Sequence, residues 1–132
     1  MEESIQPRKQ RKFRYNAPMH ARRKMVSAHL SKELRAKLGT GKRNVQLRKG
    51  DRVKIMRGER KGQMGKVMEV DLSILKVYVE GASERNAKGV EKLVPFDPSN
   101  LLIIEGQFIK DRLAAIQRSP NKPKQAAAKK SV

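Results

Sequence analysis

Arg8, Lys9, Arg11, Lys12 and Arg14 interleave with Phe13 and Tyr15 near the start of this chain. In such a mixture the cations can follow a phosphate backbone while the rings stack on unpaired bases. His20, Arg22, Arg23 and Lys24 continue the basic series, followed by Lys32, Arg35, Lys42 and Arg43. A second group lies between Gly50 and Val70, where Gly58, Gly62 and Gly65 punctuate a loop that carries Arg57, Arg60 and Lys61. Glycines there permit positive φ or close backbone approach, and the three cations are expected to project from the loop tip. A glycine loop can also cradle nucleotide phosphates, but no Gly-Lys-Ser/Thr ending and no following helix accompany this one, so no nucleotide site is expected. His20 and His29 are the only histidines, and without cysteine or paired carboxylates beside them they predict no metal site and an RNA-facing or exposed position instead. Glu69 and Asp71 share one strand face like a pair of catalytic acids, yet they alternate with Met68, Val70 and Leu72, which reads as a solvated outer surface. Ser, His and acid residues do not converge in sequence as a nucleophilic set would. The chain therefore predicts no catalysis, no cofactor and no small-molecule substrate.

These residues sit in a chain of 132 with 32 Lys or Arg against 13 Asp or Glu, a formal charge of +19. Such an excess points to a polyanionic partner. The absence of cysteine removes disulfide frameworks and fits a reducing, cytoplasmic setting. The longest aliphatic run, Leu101 to Ile104, is far short of the roughly twenty residues a membrane span needs, and no apolar leader segment is apparent. Glu2 and Glu3 also count against a transit peptide, which avoids acids.

The charge is unevenly placed. Residues 1–49 carry 15 basic and 3 acidic side chains (+12), residues 50–105 carry 10 and 9 (+1), and residues 106–132 carry 7 and 1 (+6). Nearly all closely spaced Val, Ile and Leu fall in the balanced middle. The composition thus divides the chain into a basic extension over 1–47 that lacks a core, a folded domain over 48–105, and a second basic extension over 106–132.

Within the domain the apolar residues alternate with the period of a strand that buries one face. Val53 and Ile55 mark one strand. Met68, Val70 and Leu72 mark a second, joined by a hairpin around Ser73 to a third with Leu75, Val77 and Val79. Val90 to Val94 reads as a fourth and Leu101 to Ile104 as a fifth, buried on both faces or closing the sheet, while Gly81 to Gly89 reads as a polar connection. Five short strands in so few residues predict an all-β fold, a small bent barrel. Tyr78 and Phe96 are its only rings, too few for an RRM sheet. In the first extension, Ser31 is placed to cap a helix over Lys32 to Leu38 that Gly39 ends. In the last, Ile109, Leu113 and Ile116 predict a helix over about 107–117, followed by a disordered tail.

The stretch Gly50-Asp51-Arg52-Val53-Lys54-Ile55-Met56-Arg57-Gly58-Glu59-Arg60-Lys61-Gly62-Gln63-Met64-Gly65-Lys66-Val67 closely resembles the KOW motif, which is carried on an SH3-like barrel. The preceding stretch, Asn16-Ala17-Pro18-Met19-His20-Ala21-Arg22-Arg23-Lys24-Met25-Val26-Ser27-Ala28-His29-Leu30-Ser31-Lys32-Glu33-Leu34-Arg35-Ala36-Lys37, resembles the extension ahead of that barrel in one family. These are the KOW-domain large-subunit ribosomal proteins of archaea and eukaryotes, the twenty-fourth of the universal scheme, and an archaeal member is the expected one. Asp97-Pro98-Ser99-Asn100-Leu101-Leu102-Ile103 is similar to the family's closing strand, although the family commonly has His where this chain has Asp97. Lys110-Asp111-Arg112 matches only loosely. The resemblance implies a structural protein of the large ribosomal subunit. It would bind the 5′ region of the major ribosomal RNA near the peptide exit tunnel, act early in assembly, and contact neighbouring ribosomal proteins and factors at the tunnel exit. Two other readings stand beside it: a KOW-type transcription elongation factor bound to RNA polymerase, and a free basic RNA chaperone.

Overall fold

Val53, Ile55, Val77, Val79, Leu101 and Ile103 are fully buried, alternating along their strands with less buried neighbours. The elements that carry them belong to a computed structural model that describes residues 4–39, 41–108 and 110–117. Along the chain run α1 (Pro7–Asn16), α2 (Met19–Met25), β1 (Ser27–Leu30), α3 (Lys32–Leu38), β2 (Asn44–Gln46), β3 (Arg52–Ile55) and β4 (Met64–Asp71). Then come β5 (Lys76–Arg85), β6 (Glu91–Phe96), a 3₁₀ turn (Pro98–Asn100), β7 (Leu101–Glu105) and α4 (Lys110–Gln117). The strands form one sheet in the order β2-β1-β7-β3-β4-β5-β6. Every pairing is antiparallel except β1 with β7, where His29 lies opposite Leu102 and Leu30 opposite Ile103. Register shifts between Arg52 and Val53, Val67 and Glu69, and Tyr78 and Ser83 sharpen the twist and bend the sheet around one core. This is the expected small all-β, SH3-like architecture with short helices. No helix among the described residues is long and apolar enough to cross a membrane.

The first extension departs from the expectation that it lacks a core. Val26, Ala28, Leu30, Val45 and Leu47 are buried in the same cluster as the barrel residues, because β1 and β2 join the sheet beside β7. Their apolar residues are few, but each points inward. The seven observed strands therefore exceed the five expected. Leu101 to Ile104 forms the expected strand and lies inside the sheet, with β1 on one side and β3 on the other.

Three further expectations shift. In β4 the bulge after Val67 changes the phase of the alternation, so Val67 is buried, Val70 and Leu72 are half-buried and Met68 is exposed. The supposed connection over 81–89 is largely strand: β5 continues through Gly81 to Arg85, and Ser83, Glu84 and Arg85 pair with Leu93, Lys92 and Glu91. Much of that hairpin is wet on both faces, so little apolar alternation marks it, and cross-strand bonding with the Arg85–Glu91 ion pair (3.3 Å) supports it instead. Leu75 lies in the turn before β5 with φ +58° rather than in the strand, although its side chain is buried as expected.

The helix over Lys32–Leu38 forms between the expected caps. The Ser31 hydroxyl accepts from the Leu34 N–H at 3.2 Å, and Gly39 ends the helix at φ +58°. In α4, Ile116 is buried and Leu113 half-buried. Ile109 and the tail from Arg118 onward lie outside the described residues.

Candidate nucleic-acid interface

From Ser4 through Lys32 the chain holds no Asp or Glu and nine Lys or Arg. Helical backbone forms there because Pro7 sits in the first turn of α1, where its missing N–H costs nothing, and Pro18 stops α1 and starts α2. An elbow results. Ala17 is buried in it, and the Arg22 guanidinium donates to the Tyr15 carbonyl.

The α1 helix itself buries nothing. Arg8, Lys9, Arg11, Lys12, Arg14 and Tyr15 are exposed, the tyrosine by 81%, whereas Phe13 is half-buried and less available for stacking. Arg8 and Lys9 also stand in the first turn, where cations oppose the helix dipole. Ten residues with that charge distribution are too few to persist alone in water. The helix thus has no buried residue of its own to stabilise it. On α2 and beyond, His20, Arg23, Lys24, Lys32 and Arg43 are exposed, and Arg22, Arg35 and Lys42 are half-buried. His29 is exposed on β1.

In the glycine loop between β3 and β4 the glycines take the expected roles, while one of the three cations expected at the tip does not. Gly58 and Gly62 have φ of +89° and +94°, a region costly for any residue with a Cβ. Gly65 serves by close approach: a Cβ there would stand 2.5 Å from the Glu80 carbonyl oxygen and 2.7 Å from Val79 Cγ1. The loop neck is closed by Gly62 N–H to the Ile55 carbonyl at 2.8 Å and Ile55 N–H to the Gln63 carbonyl at 2.9 Å. Arg57 and Lys61 are exposed at the tip. Arg60 is not. It folds back to donate to the Ser83 carbonyl at 2.6 Å and lies 3.9 Å from Glu84, so it pins the loop to β5 instead of projecting. Gln63 makes a parallel tie to the Gly81 carbonyl at 2.8 Å.

Two carboxylates singled out in the sequence have separate roles. Asp71 accepts from the Ser73 hydroxyl and N–H and from the Ile74 N–H, and those bonds, the hydroxyl first, hold its pKa below the ordinary 3.8. It shapes the β4–β5 turn. Glu69 is exposed. At the position where the family commonly has His, Asp97 accepts from Lys76 Nζ at 2.8 Å.

The sequence did not reveal a buried ion pair. Arg112 from α4 reaches across to Asp51 with both terminal nitrogens, each 2.7 Å from one carboxylate oxygen, and also donates to the Gln46 carbonyl at 2.8 Å. Asp51 in turn accepts from the Arg48 N–H at 3.0 Å. The guanidinium also lies 4.7 Å from the centre of the Phe108 ring. One side chain therefore ties the C-terminal helix, the end of β2 and the start of the glycine hairpin together. The loosely matching Lys110-Asp111-Arg112 run was the only sequence signal near it.

A bent β-sheet whose β3–β4 hairpin carries the spaced glycines, flanked by a basic arm, defines a KOW-type SH3-like domain with basic extensions. Residues 4–119 match the family described as the ribosomal proteins L26 of eukaryotes together with their archaeal counterparts, and the chain belongs to that family. It is 48% identical over 102 residues to the large ribosomal subunit protein uL24 of Pyrobaculum islandicum, a match covering 77% of this chain and 81% of that protein.

Proposed function

We propose that this chain is a structural, non-catalytic component of the large ribosomal subunit in the cytoplasm, and that it binds ribosomal RNA through α1, α2 and the tip of the β3–β4 loop. The observation that carries this reading is α1: it is basic, free of acidic residues, has no buried residue, and is exposed at every position except the half-buried Phe13. A phosphate surface supplies the charge the helix lacks, and its ordering cost is met at binding. The barrel loop contributes Arg57 and Lys61 from a rigid base that Arg60 and Gln63 hold in place, so its contacts position while the arm's charge gives affinity. The reading extends, as the resemblance of the KOW stretch and its flanks implies, to binding in the 5′ region of the major RNA near the exit tunnel, action early in assembly, and neighbouring ribosomal proteins and tunnel-exit factors as further partners.

The test is sedimentation of cell extract at moderate and high salt, with RNA crosslinking on the resulting particles. A salt-stable large-subunit band with crosslinks within residues 8–24 is expected. Co-purification with RNA polymerase, or free protein at every salt concentration, overturns the reading.

A further inference from the structure

The loop and arm leave a strongly shaped surface beside them unassigned. An open groove of about 880 Å³ runs between the end of α2, the segment after β2 and the outer face of β4. Backbone bonds build its walls: Leu47 N–H to the Val26 carbonyl at 3.2 Å, Gly50 N–H to the Val67 carbonyl at 2.9 Å, and Val67 N–H to the Asp51 carbonyl at 2.9 Å. Its floor includes the exposed Met68 together with the half-buried Val70 and Leu72, which also pack against the core. Met68 is 44% exposed. Its rim carries Arg23, Arg48 and Lys49, all exposed and, among the described residues, unpaired with any carboxylate; Glu69 is the one acid.

Apolar floor and cationic rim together match a nucleotide better than either alone. A duplex presents phosphates and no exposed base faces, so it would leave the floor wet. An unpaired nucleotide offers a flat apolar face to Met68, Val70 and Leu72, its phosphates to the rim, and its amino edge to Glu69, while guanidinium planes on the rim can cover the other side. The chain's own C-terminal tail is a poor occupant, because residues 118–132 carry five Lys or Arg and no acid.

We infer that this groove seats an unstacked nucleotide from a loop or bulge of the bound RNA, with Met68, Val70 and Leu72 under the base and Arg23, Arg48 and Lys49 on its phosphates. The inference deepens the RNA-binding reading above and rests on it. It also recruits Arg48, Lys49 and Met68, none of which the sequence singled out for RNA.

Short-wave ultraviolet crosslinking of full-length protein in assembled large subunits, followed by trypsin and mass spectrometry, tests it. Nucleotide adducts are expected on the peptides Val67–Lys76 and Asn44–Arg48 as well as on the arm. For free protein with a large-subunit RNA fragment, Arg48→Ala with Lys49→Ala should reduce the salt slope of binding by about 1.4, two contacts at about 0.7 each. Met68→Ser should lower the adduct on Val67–Lys76 and leave the arm's adducts unchanged. Adducts on the arm with none on either groove peptide overturn the groove and leave RNA binding standing. A chemical crosslink of Val67–Lys76 to a protein neighbour, in place of RNA, also overturns it and assigns the groove to a protein contact. Absence of adducts anywhere, with no binding to the fragment, overturns the RNA reading itself. If a variant loses its folded circular dichroism spectrum, the wild-type map decides alone.

Discussion

Replacing Arg112 with Ala should unfold the protein more readily than any surface charge substitution. The side chain is 3% exposed and Asp51 2%, so water cannot replace what either loses. Two charge-assisted bonds at 2.7 Å and one to the Gln46 carbonyl at 2.8 Å disappear. Asp51 then remains as a buried carboxylate with the Arg48 N–H as its remaining donor among the described residues. Removing one partner of such a pair costs about 3–5 kcal/mol, a large share of the roughly 5–15 kcal/mol that holds a domain folded. The control is Arg52→Ala, whose ion pair with Glu105 spans 3.5 Å between side chains 52% and 67% exposed. That loss should be at most about 1 kcal/mol. Because the penalty comes from stranding a charge, Asp51→Ala in the Arg112→Ala background should cost far less than it does alone. Arg112→Lys should fall between wild type and Ala, since an ammonium keeps the charge and loses the fork. Urea denaturation followed by circular dichroism measures each variant. The reasoning is refuted if Arg112→Ala matches the Arg52→Ala control, or if the Asp51 and Arg112 losses simply add.

Three more outcomes follow from the same geometry. Deleting residues 1–24 should leave the sheet folded, because β1 starts at Ser27, and should flatten a salt slope that is roughly −7 if about ten basic groups meet phosphate; a filter-binding titration in salt reads both affinity and slope. Gly65→Ala should destabilise the protein more than Gly62→Ala, since the first drives a Cβ against the backbone of β5 while the second is strained only in φ and has open space around it, and thermal unfolding of the two variants ranks them. For Asp71, whose folded pKa lies below its ordinary 3.8, the turn's ionic contribution is complete above that value and is lost as pH falls through the folded value; Asp71→Ala should therefore be less stable than wild type at neutral pH and show a shallower loss in acid, read by unfolding at a series of pH values.

The readable parts of the sequence were those with local signals. Ser31 and Gly39 bracket their helix within one short window, and Gly58, Gly62 and Gly65 act through their own backbone or the strand beside them. What escaped depended on distance in the chain. β1 and β2 have four and three residues, too short for alternation to show, and gain meaning only when residues 101–105 arrive beside them. The helical arm was hidden because α1 has no buried stripe to give it a period. Arg60 looked like a tip cation because its acceptor, Ser83, is 23 residues away, and Asp51 and Arg112 are separated by 61.

The position of β7 has a consequence for how the protein is made. Among the described residues it is the last strand to be synthesised, yet it lies at the middle of the sheet and joins β1 to β3. Until Leu101 to Glu105 have emerged, the strands form two fragments, β1 with β2 and β3 through β6, with no ladder between them. Folding therefore cannot advance strand by strand behind the growing end. It waits for residues 101–105 and must then close the long interval between Leu30 and Ile103, the kind of non-local pairing that slows a β protein. During that wait the basic arm is already outside and the sheet is not yet formed, so a newborn copy presents its charge to its surroundings before it has a structure to aim it.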